Sequence, residues 1–310
     1  DTQPAIAGPE LIRLLSDEHG LSFDEALTIA RACLGYTNHT LLPEALEKWA
    51  TFTFGNVLPR HMQIVERIDS WHRRAYPNRP HYVGIVKHQE VRMGELAFIM
   101  SHKVNGVSAL HSDLVKKNLF PELNALHPGR IINQTNGVTP RRWLRMANRP
   151  LSGLITRTIG SGWEADLDRL KELEPHVDDA GFRDAFAAAK RENKVALSNW
   201  IGRESGVQVS PDALFDVQIK RIHEYKRQLL NILEAIALYQ DIRDAPQRDW
   251  APRVKIFAGK AAASYRYAKL IIKLINDVAQ VVNSDPAIGD RLKIAFLPDY
   301  NVSLAEVIIP

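Results

Sequence analysis

The chain of 310 residues contains one cysteine and no apolar run long enough to span a bilayer. A single cysteine excludes an internal disulfide framework and suits a reducing compartment. Cys33 falls in an apolar helical pattern and reads as a buried structural thiol. No secretory signal opens the sequence, so the reading is cytoplasmic, with no membrane partner. Charge of one sign is also scarce. Forty Lys and Arg against 36 Asp and Glu leave a net charge of +4, too little to argue for a nucleic-acid partner. His-Glu-x-x-His and Cys-x-x-Cys are missing, so no metal site is expected. Gly-x-Gly-x-x-Gly and the Walker loop are missing, which removes the nucleotide fingerprints, and the lack of Gly-x-Ser-x-Gly weakens a hydrolase reading. There is no internal repeat and no low-complexity segment.

What remains is ordinary globular composition, 45% hydrophobic and 25% charged, at a length that suggests two domains or pieces of two. The N-terminal half reads as mostly helical. Ser22 and Glu25 have capping-box spacing before Ala26, Leu27, Ile29, Ala30 and Cys33, and Gly35 suits a helix stop. Further helices are expected from about Glu44 to Trp49, from Arg60 to Arg74, and from His102 to Leu119 with Leu110, Leu114 and Val115 on one face. From Leu214 the pattern alternates. Strands at 214–219, 254–257 and 292–297 are followed by helices near 225–243, 265–282 and from 302. Such alternation argues for a parallel, doubly wound α/β sheet, whose ligands bind beyond the carboxyl ends of the strands. That rule singles out residues 220–226, 259–264 and 298–301. The chain opens without a methionine and stops barely into a helix, so it reads as truncated at both ends.

Three segments can carry chemistry. Lys220-Arg221-Ile222-His223-Glu224-Tyr225-Lys226-Arg227 places four cations where a strand hands over to a helix. Arg holds phosphate bidentately, Lys acts as a point charge, and a helix start adds oriented N–H groups. A solvated basic helix start is the bland alternative. Asn133–Trp143 contains an Asn136-Gly137 turn signal and a Pro140 helix start; its amides can bind a sugar hydroxyl or only stabilise the turn. Trp143 can stack on a planar ligand, though a core tryptophan is the commoner case. Tyr36–Glu44 is a polar run in which His39 is either an acid–base group or a hydrogen-bonded loop residue. Carboxylates such as Glu44, Glu47 and Asp299 are more often structural, and a glycosidase pair cannot be read from sequence. The chemistry is cationic rather than carboxylic.

Together these segments resemble the glycogen (α-1,4-glucan) phosphorylases, and the resemblance runs the whole chain. It covers residues 1–5, 36–49, 58–61, 104–107, 133–143, 215–231, 259–265 and 296–306, with Thr135–Leu144 and Ile219–Leu230 the most specific runs. The resemblance implies the GT-B fold of two Rossmann-like domains: residues 1–136 would end a glucan-binding domain and 137–310 would start a pyridoxal-phosphate-binding one. The implied reaction is reversible phosphorolysis of terminal α-1,4-glucosyl units to glucose 1-phosphate with retention. In that reaction the 5′-phosphate of pyridoxal phosphate passes a proton through the substrate phosphate to the departing oxygen. Two adjacent phosphates repel, which requires dense positive charge. By resemblance, Arg221 and Lys226 hold inorganic phosphate and Lys220 lies beside the cofactor phosphate. Tyr225 meets the glucose 2-hydroxyl, while the His39 carbonyl and the Asn136 amide bind the glucose near its hydroxymethyl end, and Asp1 also binds substrate. Trp143 and Tyr300 line the cofactor pocket, and Gly137 lets backbone approach a phosphate. The family is often allosteric, and the complete enzyme is expected to be a homodimer.

The sequence also departs from the family pattern. Gln3 stands where histidine is usual, Ala50 where proline is, Ala263-Ser264 where Pro-Gly is commoner, and Asn301 where some relatives have arginine. The segment after Ile68 is shorter. None of the lysines matches the family lysine that bonds the cofactor, so the isolated chain is expected to be inactive. Two other readings remain: a GT-B glycosyltransferase using a sugar nucleotide, and a non-catalytic carbohydrate- or phosphate-binding fragment.

Overall fold

A computed structural model describes residues 2–43, 46–263 and 265–310, with the side chain of Gln3 also outside the description. The chain divides into two units, Asp1–Gly137 and Val138–Pro310.

The first unit is helix-rich, with helices α1 (Ala7–Arg13), α2 (Phe23–Cys33), α3 (Thr51–Val57), α4 (Pro59–Ala75), α5 (Met93–Met100), α6 (Ala109–Leu114) and α7 (Pro121–Leu126). The capping box at α2 is present in both directions, Ser22 Oγ accepting from Glu25 N–H while the Glu25 carboxylate accepts from Ser22 N–H. One hydrophobic core runs through the unit, from Ile12 through Ile64, Ile68 and Leu96 to Ile131. The helices cover a parallel sheet that the sequence did not announce. Strands β1 (Gly35–Thr37), β5 (Lys103–Gly106) and β6 (Ile131–Asn133) lie in the order β1-β5-β6, while β2 (Lys48–Ala50), β3 (Val86–Lys87) and β4 (Glu90–Arg92) form a small antiparallel sheet in the order β2-β4-β3. Gly106 belongs to the crossing point: a Cβ there would sit 2.3 Å from Ser112 Oγ, so only glycine lets α6 approach β5.

Several expectations change here. The helix expected over 44–49 is replaced at Lys48–Trp49 by β2, whose partner Glu90–Arg92 lies too far along the chain for local pattern to show; Glu44 itself lies outside the described residues. The helix expected from His102 is broken by β5, and Leu110 is 71% exposed rather than sharing a buried face with Val115. Cys33 is exposed although its spacing puts it on the side of Ala26 and Ala30, because it is the last residue of α2.

The second unit begins with α8 (Arg149–Ile159) and the long α9 (Ala180–Ser205), then alternates β7 (Leu214–Ile219), α10 (Gln228–Asp244), β8 (Arg253–Ala258), α11 (Arg266–Ser284), β9 (Leu292–Leu297) and α12 (Val302–Ile308). The three strands pair in parallel in the order β7-β8-β9, Leu214 opposite Arg253 and Arg253 opposite Leu292. Two cores flank this sheet. Ile232 of α10 and Ala268, Ile271 and Ile275 of α11 pack with Phe257 and Ile294 on one face. Leu197 and Ile201 of α9 and Leu304 and Ile308 of α12 pack with Val254, Ile256 and Ala295 on the other. Sequential parallel strands with helices on both faces follow from right-handed crossovers. Asn283 at the end of α11 clamps the free edge of β9, donating to the Ile294 carbonyl at 2.8 Å and accepting from its N–H at 2.9 Å. This is a mixed α/β molecule with parallel sheets in both units.

Candidate functional site

In the first unit the residues singled out in the sequence collect where β1, β5 and β6 end. Thr37, Asn105 and Gly106 are adjacent rungs, and Asn38 and His39 continue from β1 as Val107 does from β5. Asn38 is buried; its N–H bonds the Asn105 carbonyl at 3.0 Å and its side chain donates to Tyr36 Oη at 2.9 Å. Burial pushes the Tyr36 phenol up to about 12, so it stays neutral and able to accept that bond. Held by Asn38, the chain turns so that His39 is exposed, and its carbonyl accepts no hydrogen bond among the described residues. Loss of water around the imidazole lowers its pKa and favours the neutral ring. Asn136 is anchored by its own N–H on the Val107 carbonyl at 2.9 Å, which leaves its exposed side-chain amide without a partner among the described residues. His111 supports that strand end from behind, its Nδ1 accepting from Val107 N–H at 3.1 Å. The edge therefore presents neutral donors and acceptors: a free carbonyl, a free amide and asparagines.

The Asn136-Gly137 turn is not formed. Residues 134–139 run without turn or helix, and Gly137 has no positive φ. A Cβ added at Gly137 would meet nothing within 4 Å, so local geometry does not demand glycine there. Pro140 does cap a helical start, a wide turn over Arg141–Met146 in which Trp143 is half-buried and Arg142 reaches the Glu306 carboxylate at 2.6 Å.

In the second unit the loops after β7, β8 and β9 carry the cationic segment. Lys220 and Arg221 leave the end of β7, a 3-10 turn covers Glu224–Lys226, and Arg227 adopts a left-handed φ of 65° before α10 begins. Lys220, Arg221 and Arg227 are exposed and Lys226 half-buried, and among the described residues none of the four forms an ion pair. Four cations at the positive end of a helix repel its dipole, so the arrangement favours an anion placed there. The Lys226 ammonium lies 4.7 Å from the centre of the exposed Tyr225 ring. Tyr265 donates to Glu224, a strong bond to a carboxylate that raises the phenol's pKa and keeps the one acid of the segment turned to its neighbour.

Two amides hold this loop. Gln228 is fully buried; its Nε2 donates to the Arg221 carbonyl at 3.1 Å and its Oε1 accepts from His223 N–H at 3.4 Å. Gln218 donates to the Lys226 carbonyl at 2.8 Å. The loop after β8 closes against them: Ile222 N–H bonds the Lys260 carbonyl at 3.1 Å, and a Cβ on Gly259, at φ 151°, would lie 2.0 Å from the Lys220 carbonyl oxygen. At the end of β9, Asp299 takes a left-handed φ of 51°, Tyr300 is half-buried, and Asn301 caps α12 by accepting from Leu304 N–H at 3.0 Å. The cap explains why asparagine serves at 301. Glu47 is half-buried and Asp299 exposed, and among the described residues neither is brought beside a second carboxylate by an ion pair or hydrogen bond. Asp1, Glu44 and Ser264, also singled out from the sequence, lie outside the described residues. Sequence reasoning missed Gln218, Gln228, His111 and Tyr265. Gln218 and Gln228 were visible only as polar residues bracketing the cationic run, and His111 and Tyr265 lie too far from it in sequence for any local signal.

Known proteins supply the last observation. The model of the family described as carbohydrate phosphorylase matches residues 1–310. A glycogen phosphorylase of Synechocystis sp. is 51% identical over 320 residues, covering 100% of this chain and 38% of the relative. Those of Pasteurella multocida, at 46%, and the bovine muscle form, at 44%, also cover 100% of the chain and 39% and 38% of their own lengths. The chain thus spans well under half the length of the curated relatives it matches. With a match over every residue and identity near one half, this chain belongs to the carbohydrate phosphorylase family.

Proposed function

We propose that the protein containing this chain is an α-1,4-glucan phosphorylase, which transfers the terminal glucosyl unit of glycogen or maltodextrin to inorganic phosphate and releases glucose 1-phosphate with retained configuration. The observation that carries the reading is the turn at Lys220–Arg227: cations without carboxylate partners among the described residues, fixed by the buried Gln228 and the half-buried Gln218 at a helix start. Phosphate chemistry needs charge that is already in place as the glycosidic bond breaks, because a preorganised charge stabilises the transition state without reorganising. Arg221 and Lys226 would grip the attacking phosphate, and the Tyr225 hydroxyl would bind the glucose 2-hydroxyl. The free carbonyl of His39 would face the sugar, where its dipole stabilises positive charge developing at the anomeric carbon, and the Asn136 amide would hold the hydroxymethyl end.

The family also implies pyridoxal 5′-phosphate, and the residues present fit such a group. Lys220 offers an ammonium without an anionic partner among the described residues, and Trp143 and Tyr300 offer half-buried rings. When bound, the cofactor would supply a second phosphate able to exchange a proton. Lys220 would neutralise that phosphate, Trp143 and Tyr300 would flank the ring, and Gly137 would admit backbone close to it. We assign the covalent lysine to no residue of this chain. The same reading places the two units as the end of one GT-B domain and, from residue 137, the start of the next. It makes the complete enzyme a cytoplasmic homodimer. No helix among the described residues is long and apolar enough to cross a membrane.

The test is direct. Full-length protein is incubated with maltodextrin and inorganic phosphate, and glucose 1-phosphate is measured. Release that depends on phosphate supports the reading. Glucosyl transfer from a sugar nucleotide without phosphorolysis would replace it with the glycosyltransferase alternative.

A further inference from the structure

The amide that pins Lys226 is itself ordered from the middle of the sheet. Lys255 lies in β8 with its side chain 2% exposed. Its ammonium donates to Asp216 Oδ2 at 2.8 Å and Asn231 Oδ1 at 2.7 Å, and forms a closer ion pair with Glu234. An ammonium has three protons and no acceptor, so these three partners saturate it and Asn231 must turn its oxygen inward. That orientation leaves Asn231 Nδ2 facing β7, where it donates to Gln218 Oε1 at 2.9 Å. Gln218 is then obliged to present Nε2 outward, and it donates to the Lys226 carbonyl at 2.8 Å. The direction of every bond in the chain is set by the cation at its buried end. Flipped the other way, the amide would set its oxygen against that carbonyl, acceptor against acceptor. The pinned carbonyl immediately precedes Arg227, whose left-handed φ of 65° is unfavourable for a residue with a side chain and needs a fixed neighbour.

We propose that Lys255, Asn231 and Gln218 form a positioning relay that holds the Lys226–Arg227 turn in the shape that grips the phosphate of the phosphorylase reaction. The proposal rests on the phosphorylase reading of Lys226. None of the three relay residues touches substrate; Gln218 acts through the Lys226 backbone and so sets where the Lys226 ammonium points.

The experiment uses full-length protein with Gln218→Met and Gln218→Glu, both near glutamine in shape and neither able to donate as the amide does. Phosphorolysis is measured at saturating maltodextrin over a range of phosphate, beside Lys226→Ala and the double variant Gln218→Met/Lys226→Ala. Either Gln218 variant should lower kcat/KM for phosphate about tenfold through a displaced Lys226, leave KM for maltodextrin nearly unchanged, and lower the melting temperature by only a few degrees, the cost of about one hydrogen bond. In the Lys226→Ala background the Gln218 change should add nothing, because the residue it positions is gone. A Gln218 variant with normal phosphate kinetics beside an impaired Lys226→Ala would overturn the relay and leave the phosphorylase reading standing. Fully additive losses would also overturn it, since Gln218 would then act elsewhere. Normal kinetics in Lys226→Ala itself would remove the phosphate role of Lys226 and the relay together. If Gln218→Met folds poorly, Gln218→Glu retains the acceptor for Asn231 and decides alone.

Discussion

The two parallel sheets of this chain end in opposite chemistry. Beyond β1, β5 and β6 stand a carbonyl at His39 and a side-chain amide at Asn136, both without partners among the described residues, and a buried asparagine at Asn38, all neutral. Beyond β7 stand Lys220, Arg221, Lys226 and Arg227, with no carboxylate paired to them among the described residues. Both edges obey one topological rule, ligands at the carboxyl ends of parallel strands, so the fold does not distinguish them. The side chains do. Neutral dipoles suit sugar hydroxyls, and unpaired cations suit phosphate.

The interiors differ in their titrating groups. The first unit buries two imidazoles, His72 and His127, with Nε2 atoms 3.0 Å apart, so one ring donates and the other accepts. Burial, and then the nearby charges of Arg79, Arg130, Arg31 and Arg73, hold His72 at about 4; burial, Arg130, His72 and Arg31 hold His127 at about 3. Each unit also buries a cation: Arg79, its side chain 2% exposed, lies 3.8 Å from Asp69 in the first, and Lys255 lies between Asp216 and Glu234 in the second.

These contrasts can be broken by experiment. Acid should act first on the imidazole pair. Rings whose folded pKa is depressed bind fewer protons folded than unfolded, so their stabilisation is full above about pH 6.5 and is lost as pH falls toward 4. At pH 5 the loss is up to about 2 kcal/mol for each ring. Melting curves from pH 7 to pH 5 should show it, and His127→Leu should flatten the dependence; an unchanged slope in that variant would mean that other groups carry the acid effect. Lys255→Met removes one partner of the buried ion cluster and should destabilise the second unit by about 3 kcal/mol, read as a lower denaturant midpoint. The value falls at the low end for such losses because Asp216 and Glu234 still reach water, with side chains 34% and 47% exposed. The weakest consequence concerns the neutral edge. Asn136→Ala in full-length protein should weaken kcat/KM for maltodextrin about tenfold, near 1.4 kcal/mol, with KM for phosphate unchanged. A change in phosphate KM instead would erase the division of labour between the edges.

Legibility in the sequence followed element length and bond range. Leu214–Ile219 and Leu292–Leu297 were readable because six-residue apolar strands alternate with long helices such as α11, whose Ala268, Ile271, Ile275, Ala279 and Val282 keep helical spacing. Gly35–Thr37 and Ile131–Asn133 have three residues each, too few for any period, and exist through pairing with Lys103–Gly106. The cationic turn stood out as a run. What orients it did not: Lys255 between Val254 and Ile256 reads as the solvent side of an alternating strand, and its partners Asp216, Asn231 and Glu234 lie 21 to 39 residues away. Gly35 looked like a helix stop, and α2 does end at Cys33 just before it; Gly35 itself begins β1 rather than taking a left-handed cap.

The cationic edge is held to contain residues tuned to phosphate, Lys226 among them, and one, Arg227, that contributes only to the field. Steady-state phosphorolysis by full-length protein at saturating phosphate and maltodextrin tests this division, comparing Lys226→Ala with Arg227→Ala. Lys226 is half-buried, with its carbonyl pinned by Gln218, whereas Arg227 is exposed. Lys226→Ala should lose kcat on the order of 10²–10³, the cost of removing one preorganised charge, and Arg227→Ala about tenfold or less. Equal kcat in Lys226→Ala and the unaltered enzyme would refute the division and leave the run as ordinary surface charge.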